Sequence, residues 1–135
     1  MHASAIALLG FIAWTLLLLL CIGGMRSGLV LGGKRRANDF KPTGEDVSAF
    51  SQRLCRAHAN CYEAFPIVGG LLLYALATAN TAVTDPLAYV VLAARLGQSL
   101  VHLASTSVPA VLVRFARFGV QIVIAGIWSV QFLTG

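Results

Sequence analysis

Four apolar runs long enough to cross a bilayer follow one another along the chain, and that repetition constrains the fold more than any other feature. A hydrocarbon core of roughly 30 Å takes about 20 helical residues to span. Ala3 to Gly24 carries no charge, and its centre, Trp14-Thr-Leu-Leu-Leu-Leu-Leu-Cys21, is too continuously apolar for an amphipathic surface helix. The second run, Ala64 to Thr84, is also charge-free and ends a helix that begins in a more polar half near Phe50 and reaches about Asn80. Thr81 to Pro86 reads as a turn, with Pro86 in the first turn of a third helix, where a missing N–H costs nothing. The third helix holds Arg95 near its middle, and the fourth follows Pro109 with Arg114 and Arg117 in its first two turns. The expected fold is an all-α membrane protein, a four-helix up-down bundle forming a single domain over 1–135, with spans at about 3–25, 54–80, 86–107 and 111–133. A cleaved signal peptide competes for the first run. That reading needs a basic start, whereas the chain opens Met-His-Ala-Ser and no small-x-small cleavage site in a polar context follows the run, so a retained span is expected.

Composition narrows the class. With 58% apolar and 11% charged residues, a soluble domain is excluded. The formal charge of +5 comes from residues clustered between apolar stretches, which argues against a nucleic-acid module and for membrane topology. Arg26, Lys34, Arg35, Arg36, Lys41 and Arg53 lie between the first two spans, and none lies in the next turn. By the positive-inside rule the long first connection is cytoplasmic. Both termini and the Thr81–Asp85 turn are then outside, in a periplasm or lumen, and the Ser105–Val113 connection is inside. Cys21, Cys55 and Cys61 form no CxxC pair and read as reduced fillers; no metal site is expected.

Ionisable groups inside a span are costly, by about 2.5–3.5 kcal/mol on insertion scales, so each needs a partner or a task. Arg56, Asn60 and Glu63 stand at i, i+4 and i+7; Arg95, Gln98 and His102 at i, i+3 and i+7; and Arg114, Arg117 and Gln121 repeat the latter spacing. Each set shares one helix face. Glu63 and Arg95 fall at similar depth, about 15 Å from the cytoplasmic side, so an ion pair between them is expected. The remaining arginines make a positive cleft suited to a small anion. The bland alternatives are a packing pair for Glu63 and Arg95, and headgroup snorkelling for Arg114 and Arg117.

The segment Arg53-Leu-Cys-Arg56-Ala-His58-Ala-Asn60-Cys-Tyr-Glu63-Ala-Phe-Pro66 closely resembles the R-x-x-R-A-x-x-N-x-x-E-x-x-P signature of the MAPEG family, the membrane-associated proteins of eicosanoid and glutathione metabolism. The resemblance extends to the four spans, to Arg95 in the third helix and to Arg114 early in the fourth. It implies a homotrimer that binds glutathione as co-substrate between protomers, near the cytoplasmic face. Arg56, Asn60, Glu63 and Arg95 would match the family's glutathione-site residues, with Gln98, His102 and Arg117 beside them. Glu63 would meet the peptide's amino end or hold Arg95. Arg114 would be the catalytic cation that lowers the thiol pKa, with Arg117 as the alternative. Lys34 or Arg35 would replace a first-loop arginine that reaches the tripeptide. Ala59, Gln98, His102 and Phe118 stand where eicosanoid-forming members have arginine, histidine, tyrosine and tyrosine, which argues against that reaction.

The resemblance therefore implies a glutathione-dependent transferase or peroxidase acting on lipophilic electrophiles or hydroperoxides drawn from membrane lipid. A non-enzymatic lipid-binding or scaffold member of the same fold is the alternative. A transporter is disfavoured, since no span is broken.

Overall fold

Each apolar run closes into one continuous helix. The computed structural model describes residues 1–105 and 107–135 and comprises α1 (Ala3–Leu31), α2 (Ala49–Ala77), α3 (Thr81–Ala104) and α4 (Val108–Thr134). All four are long and apolar enough to cross a membrane. α1 packs on α2 and α3, while α4 lies along α3 and touches α2 less; α1 and α4 are not in contact among the described residues. Phe11, Leu18, Leu54, Val68, Val91 and Trp128 are buried at the contacts, and Phe11 meets Phe65 edge-on with ring centroids 5.4 Å apart.

Several helix ends differ from expectation, for local reasons. α1 runs past residue 25 and stops only where Gly33 takes φ +71°. There the Gly33 N–H donates to the Val30 carbonyl and the Lys34 N–H to that of Leu29, the Schellman pattern of a helix stop. α2 ends the same way on Ala79, φ +57°, with the Asn80 N–H donating to Ala75. Because that closure uses only Thr78 to Asn80, α3 starts at Thr81. The expected Thr81–Pro86 turn is therefore helical, and Pro86 lies past the first turn of α3 rather than within it. α3 ends at Ala104, and α4 begins at Val108 under a Ser107 cap that accepts from the Ala110 N–H. The connection expected over Ser105–Val113 is thus much shorter; Thr106 within it lies outside the described residues.

α1 has no side-chain cap of its own. Asp85, from the opening of α3, supplies one: its Oδ1 accepts from the Ser4 backbone N–H at 2.9 Å and from the Ser4 hydroxyl at 2.6 Å. A carboxylate at a helix N-terminus satisfies free N–H groups and opposes the helix dipole. Asp85→Ala is therefore expected to destabilise the protein, read as a lower thermal midpoint in detergent. An unchanged midpoint would remove Asp85 from the account of how α1 docks.

The loop before α2 is braced. Arg35 donates to the Asp46 carboxylate at 2.8 Å, to the Asp46 carbonyl and to the Asp39 carbonyl at 3.0 Å. Desolvation alone would raise the Asp46 pKa, but hydrogen bonds from Arg35 and from backbone N–H groups hold it below the ordinary value. The brace accordingly persists at neutral pH and is lost only as acid protonates Asp46. Arg35 is thus engaged within its own loop.

Candidate functional site

An open cavity of about 430 Å³ lies between α2, α3 and α4. Helical spacing delivers Arg56, Asn60 and Glu63 to it from one face of α2, and Gln98 and His102 from α3. Arg114 reaches it from α4 together with Phe115 and Phe118. A smaller cavity of about 140 Å³ continues inward past Asn60, Glu63 and Phe118 to Arg95 and Gln121.

His102 ties two helices to α3. Its Nδ1 lies 2.6 Å from Arg114 Nη1, and its Nε2 lies 2.9 Å from the Asn60 side-chain amide. A guanidinium only donates, so Nδ1 accepts and Nε2 carries the proton. The amide orientation that satisfies this turns the Asn60 oxygen to the ring. With both nitrogens engaged and the residue only 7% exposed, His102 sits behind Arg114 and Asn60 and orients them.

A second network runs deeper. Gln98 Oε1 accepts from Gln121 Nε2 at 2.9 Å, and Gln121 Oε1 accepts from Arg95 Nε at 3.0 Å. Arg95 is fully buried, with its guanidinium 5.5 Å from the Phe11 ring centroid, so α3 reaches α4 on one side and α1 on the other. Its two terminal nitrogens have no partner among the described residues.

Two expectations need correction. Glu63 and Arg95 border the same inner cavity but form no ion pair; the pairs among the described residues are His2–Asp85, Arg35–Asp46 and Lys41–Glu45. Equal depth did not supply equal direction, because Gln121 and Phe11 hold the Arg95 head inside while Glu63 stays exposed. Likewise α4 does not present Arg114, Arg117 and Gln121 together. Arg114, Phe118 and Gln121 face the cavities, whereas Arg117 lies against Gly97 of α3, in space that any side chain at 97 would occupy.

Sequence reasoning underused Gln121, which joins Gln98 to Arg95; its signal was a lone amide within the apolar run Phe118 to Trp128. The apolar wall of Val111 and Phe115 was missed, because neither residue is distinguishable by type from its lipid-facing neighbours.

Comparison with curated proteins and with solved structures returns no significant match. A profile of the MAPEG family matches residues 4–134, nearly the whole chain. With four membrane-spanning helices, and with Arg56, Asn60 and Glu63 of the α2 signature at one cavity, this integral multi-pass membrane protein belongs to the MAPEG family.

Proposed function

We propose that the protein is a glutathione-dependent membrane transferase or peroxidase that stabilises the glutathione thiolate against lipophilic electrophiles or hydroperoxides. The observation that carries this reading is the Arg114 guanidinium, held at the open cavity by His102, with Arg56 and Glu63 on the facing helix. A tripeptide with two carboxylates, one ammonium and a thiol meets complementary charges there: Arg56 for a carboxylate, Glu63 for the ammonium, Arg114 for the sulfur. The cavity volume of about 430 Å³ suits a small ligand. A cation beside a thiol favours the thiolate, and the displaced proton passes to water at the cavity mouth. The thiolate then attacks an electrophilic carbon, forming a thioether as the leaving group departs with its electron pair. With a hydroperoxide it attacks the terminal oxygen and the O–O bond breaks. The alkoxide leaves and takes a proton from water to become the alcohol, and a second glutathione converts the resulting sulfenic acid to the disulfide and water.

The same reading takes the active form to be a homotrimer. Arg56 and Glu63 are exposed on one protomer although they border the cavity, so a neighbouring protomer at this face completes the enclosure. It also takes the basic first loop and the cavity mouth to be cytoplasmic, with both termini outside.

Calorimetric titration of the detergent-solubilised protein with glutathione and with its S-hexyl analogue is the test. Saturable binding of both is expected, and binding of neither overturns the proposal. A non-enzymatic lipid-binding role is favoured by one feature. Phe118 borders both cavities and has no hydroxyl to share the sulfur's charge, while Gln98 is already engaged by Gln121. Analogue binding without turnover of any electrophile or hydroperoxide would select that role.

A further inference from the structure

A second polar cavity, of about 530 Å³, opens at the far end of α1 and shares no lining residue with the cavity between α2, α3 and α4. Arg26, Ser27, Val30 and Leu31 line it from α1, and Asn38 and Phe40 from the following loop. The lining is amphipathic: a cation and two uncharged hydrogen-bonding groups stand beside an aromatic ring and two aliphatic side chains, with Leu31 88% exposed. Its height relative to the bilayer follows from the sequence. The charge-free part of α1 runs from Ala3 to Met25, about 34 Å at 1.5 Å per residue, so Arg26 is the first charge at the edge of the hydrocarbon.

Arg26 is fixed but not neutralised. Its Nη2 donates to the Lys41 carbonyl at 2.9 Å, and its guanidinium stands 5.4 Å from the Phe40 ring centroid. Its Nε is buried without a partner among the described residues, and Arg26 is in none of their three ion pairs. Lys34 and Arg36, next to the cavity in sequence, are exposed and equally outside those pairs. Between Arg26 and Lys41, Asp39 is the only acidic residue. Nε is sealed against the protein, whereas Nη1 makes no bond to the described residues and is open at its surface, so it is the donor that meets a ligand, and a guanidinium suits the oxygens of a phosphodiester. At this depth the phosphodiesters within reach are lipid headgroups, whose glycerol and acyl portions would lie against Val30, Leu31 and Phe40.

We propose that this cavity binds the headgroup of an anionic phospholipid, with Arg26 as its primary ligand and Lys34 and Arg36 supplying the surrounding field. Such a lipid would fasten the far end of α1 and the braced loop to the membrane surface.

The test uses delipidated full-length protein in neutral detergent, titrated with short-chain phosphatidylglycerol, short-chain phosphatidylcholine or inorganic phosphate. Native mass spectrometry counts bound lipid, and the thermal midpoint is followed in parallel. Phosphatidylglycerol is expected to add one saturable lipid per chain and raise the midpoint, with phosphatidylcholine and phosphate doing neither. Arg26→Gln is expected to weaken that binding by at least about tenfold, the effect of losing one charged contact. Ser27→Phe fills the cavity while leaving the Arg26–Lys41 bond in place, and is expected to abolish the saturable lipid if Arg26→Gln fails to fold. Equal binding of phosphatidylcholine overturns the anionic selectivity, and an equal response to phosphate makes this a free-anion site. No saturable phosphatidylglycerol, or retention of it in Ser27→Phe, overturns the site itself. Because no residue is shared with the proposed glutathione cavity, either assignment can fail without the other.

Discussion

Arg114→Ala is expected to lower turnover of a generic electrophile with glutathione by about 10²–10³-fold, the loss typical of removing one preorganised stabiliser of developing or fixed negative charge. Binding of the S-hexyl analogue should change much less, since a thioether has no thiolate for the guanidinium to stabilise. The geometry adds a graded control. His102 contacts Arg114 without needing to touch the substrate, so His102→Phe should disorder the guanidinium and cost part of the same activity, with its effect largely absorbed in the Arg114→Ala background. Arg117→Ala should leave turnover close to that of the unmodified protein, because Arg117 lies on Gly97 and outside the cavity. Steady-state rates and calorimetry on the unmodified protein, the three single variants and the double variant decide the matter. If Arg117→Ala removes activity and Arg114→Ala does not, the functional face of α4 is the other one.

How far the site was legible depended on whether its logic was local. Arg56, Asn60 and Glu63 could be grouped from spacing alone, because α2 is one unbroken helix through Pro66 and its face repeats every three to four residues. On α4 the same rule failed at Arg117. Helical spacing places a Cβ within a broad sector, and a long side chain then goes wherever a neighbour leaves room; Gly97, on another helix, provided that room. The Thr81–Pro86 segment was misread because proline favours a first turn, whereas the chain had already reversed over Thr78 to Asn80 through a left-handed alanine, a conformation the residue type does not advertise. The Asp85–Ser4 cap joins residues 81 apart, and nothing in either local sequence announces the other. Glu63 and Arg95 show the limit of depth arithmetic: rise per residue fixes height along the bundle but not which neighbour claims a side chain.

That limit leads to the other large effect. Arg95 is fully buried, and among the described residues its only side-chain acceptor of normal geometry is Gln121 Oε1, with the Phe11 ring as a weaker cation–π neighbour. Gln121→Leu should leave a buried cation without that hydrogen-bond acceptor and should destabilise the protein by about 1.5–3 kcal/mol. It also strips Gln98 of its donor, so some loss is expected from that side as well. Replacing Arg95 with leucine in the Gln121→Leu background removes the stranded charge and should recover most of the stability, giving a coupling energy of more than about 1 kcal/mol in the double-mutant cycle. The parallel cycle on Glu63→Gln and Arg95→Leu separates two environments for the same arginine. Within one protomer the two residues do not pair, so near-additivity is expected from a monomeric preparation. Coupling that appears only in the assembled oligomer would mean that association turns Glu63 toward the free Arg95 nitrogens, and that the inner cavity is finished by the neighbour. Thermal unfolding of each variant in detergent, over a range of protein concentrations that would separate a monomer from the proposed trimer, reads both cycles. Additivity in the Gln121–Arg95 cycle would show that the buried guanidinium is held by something other than the amide it faces.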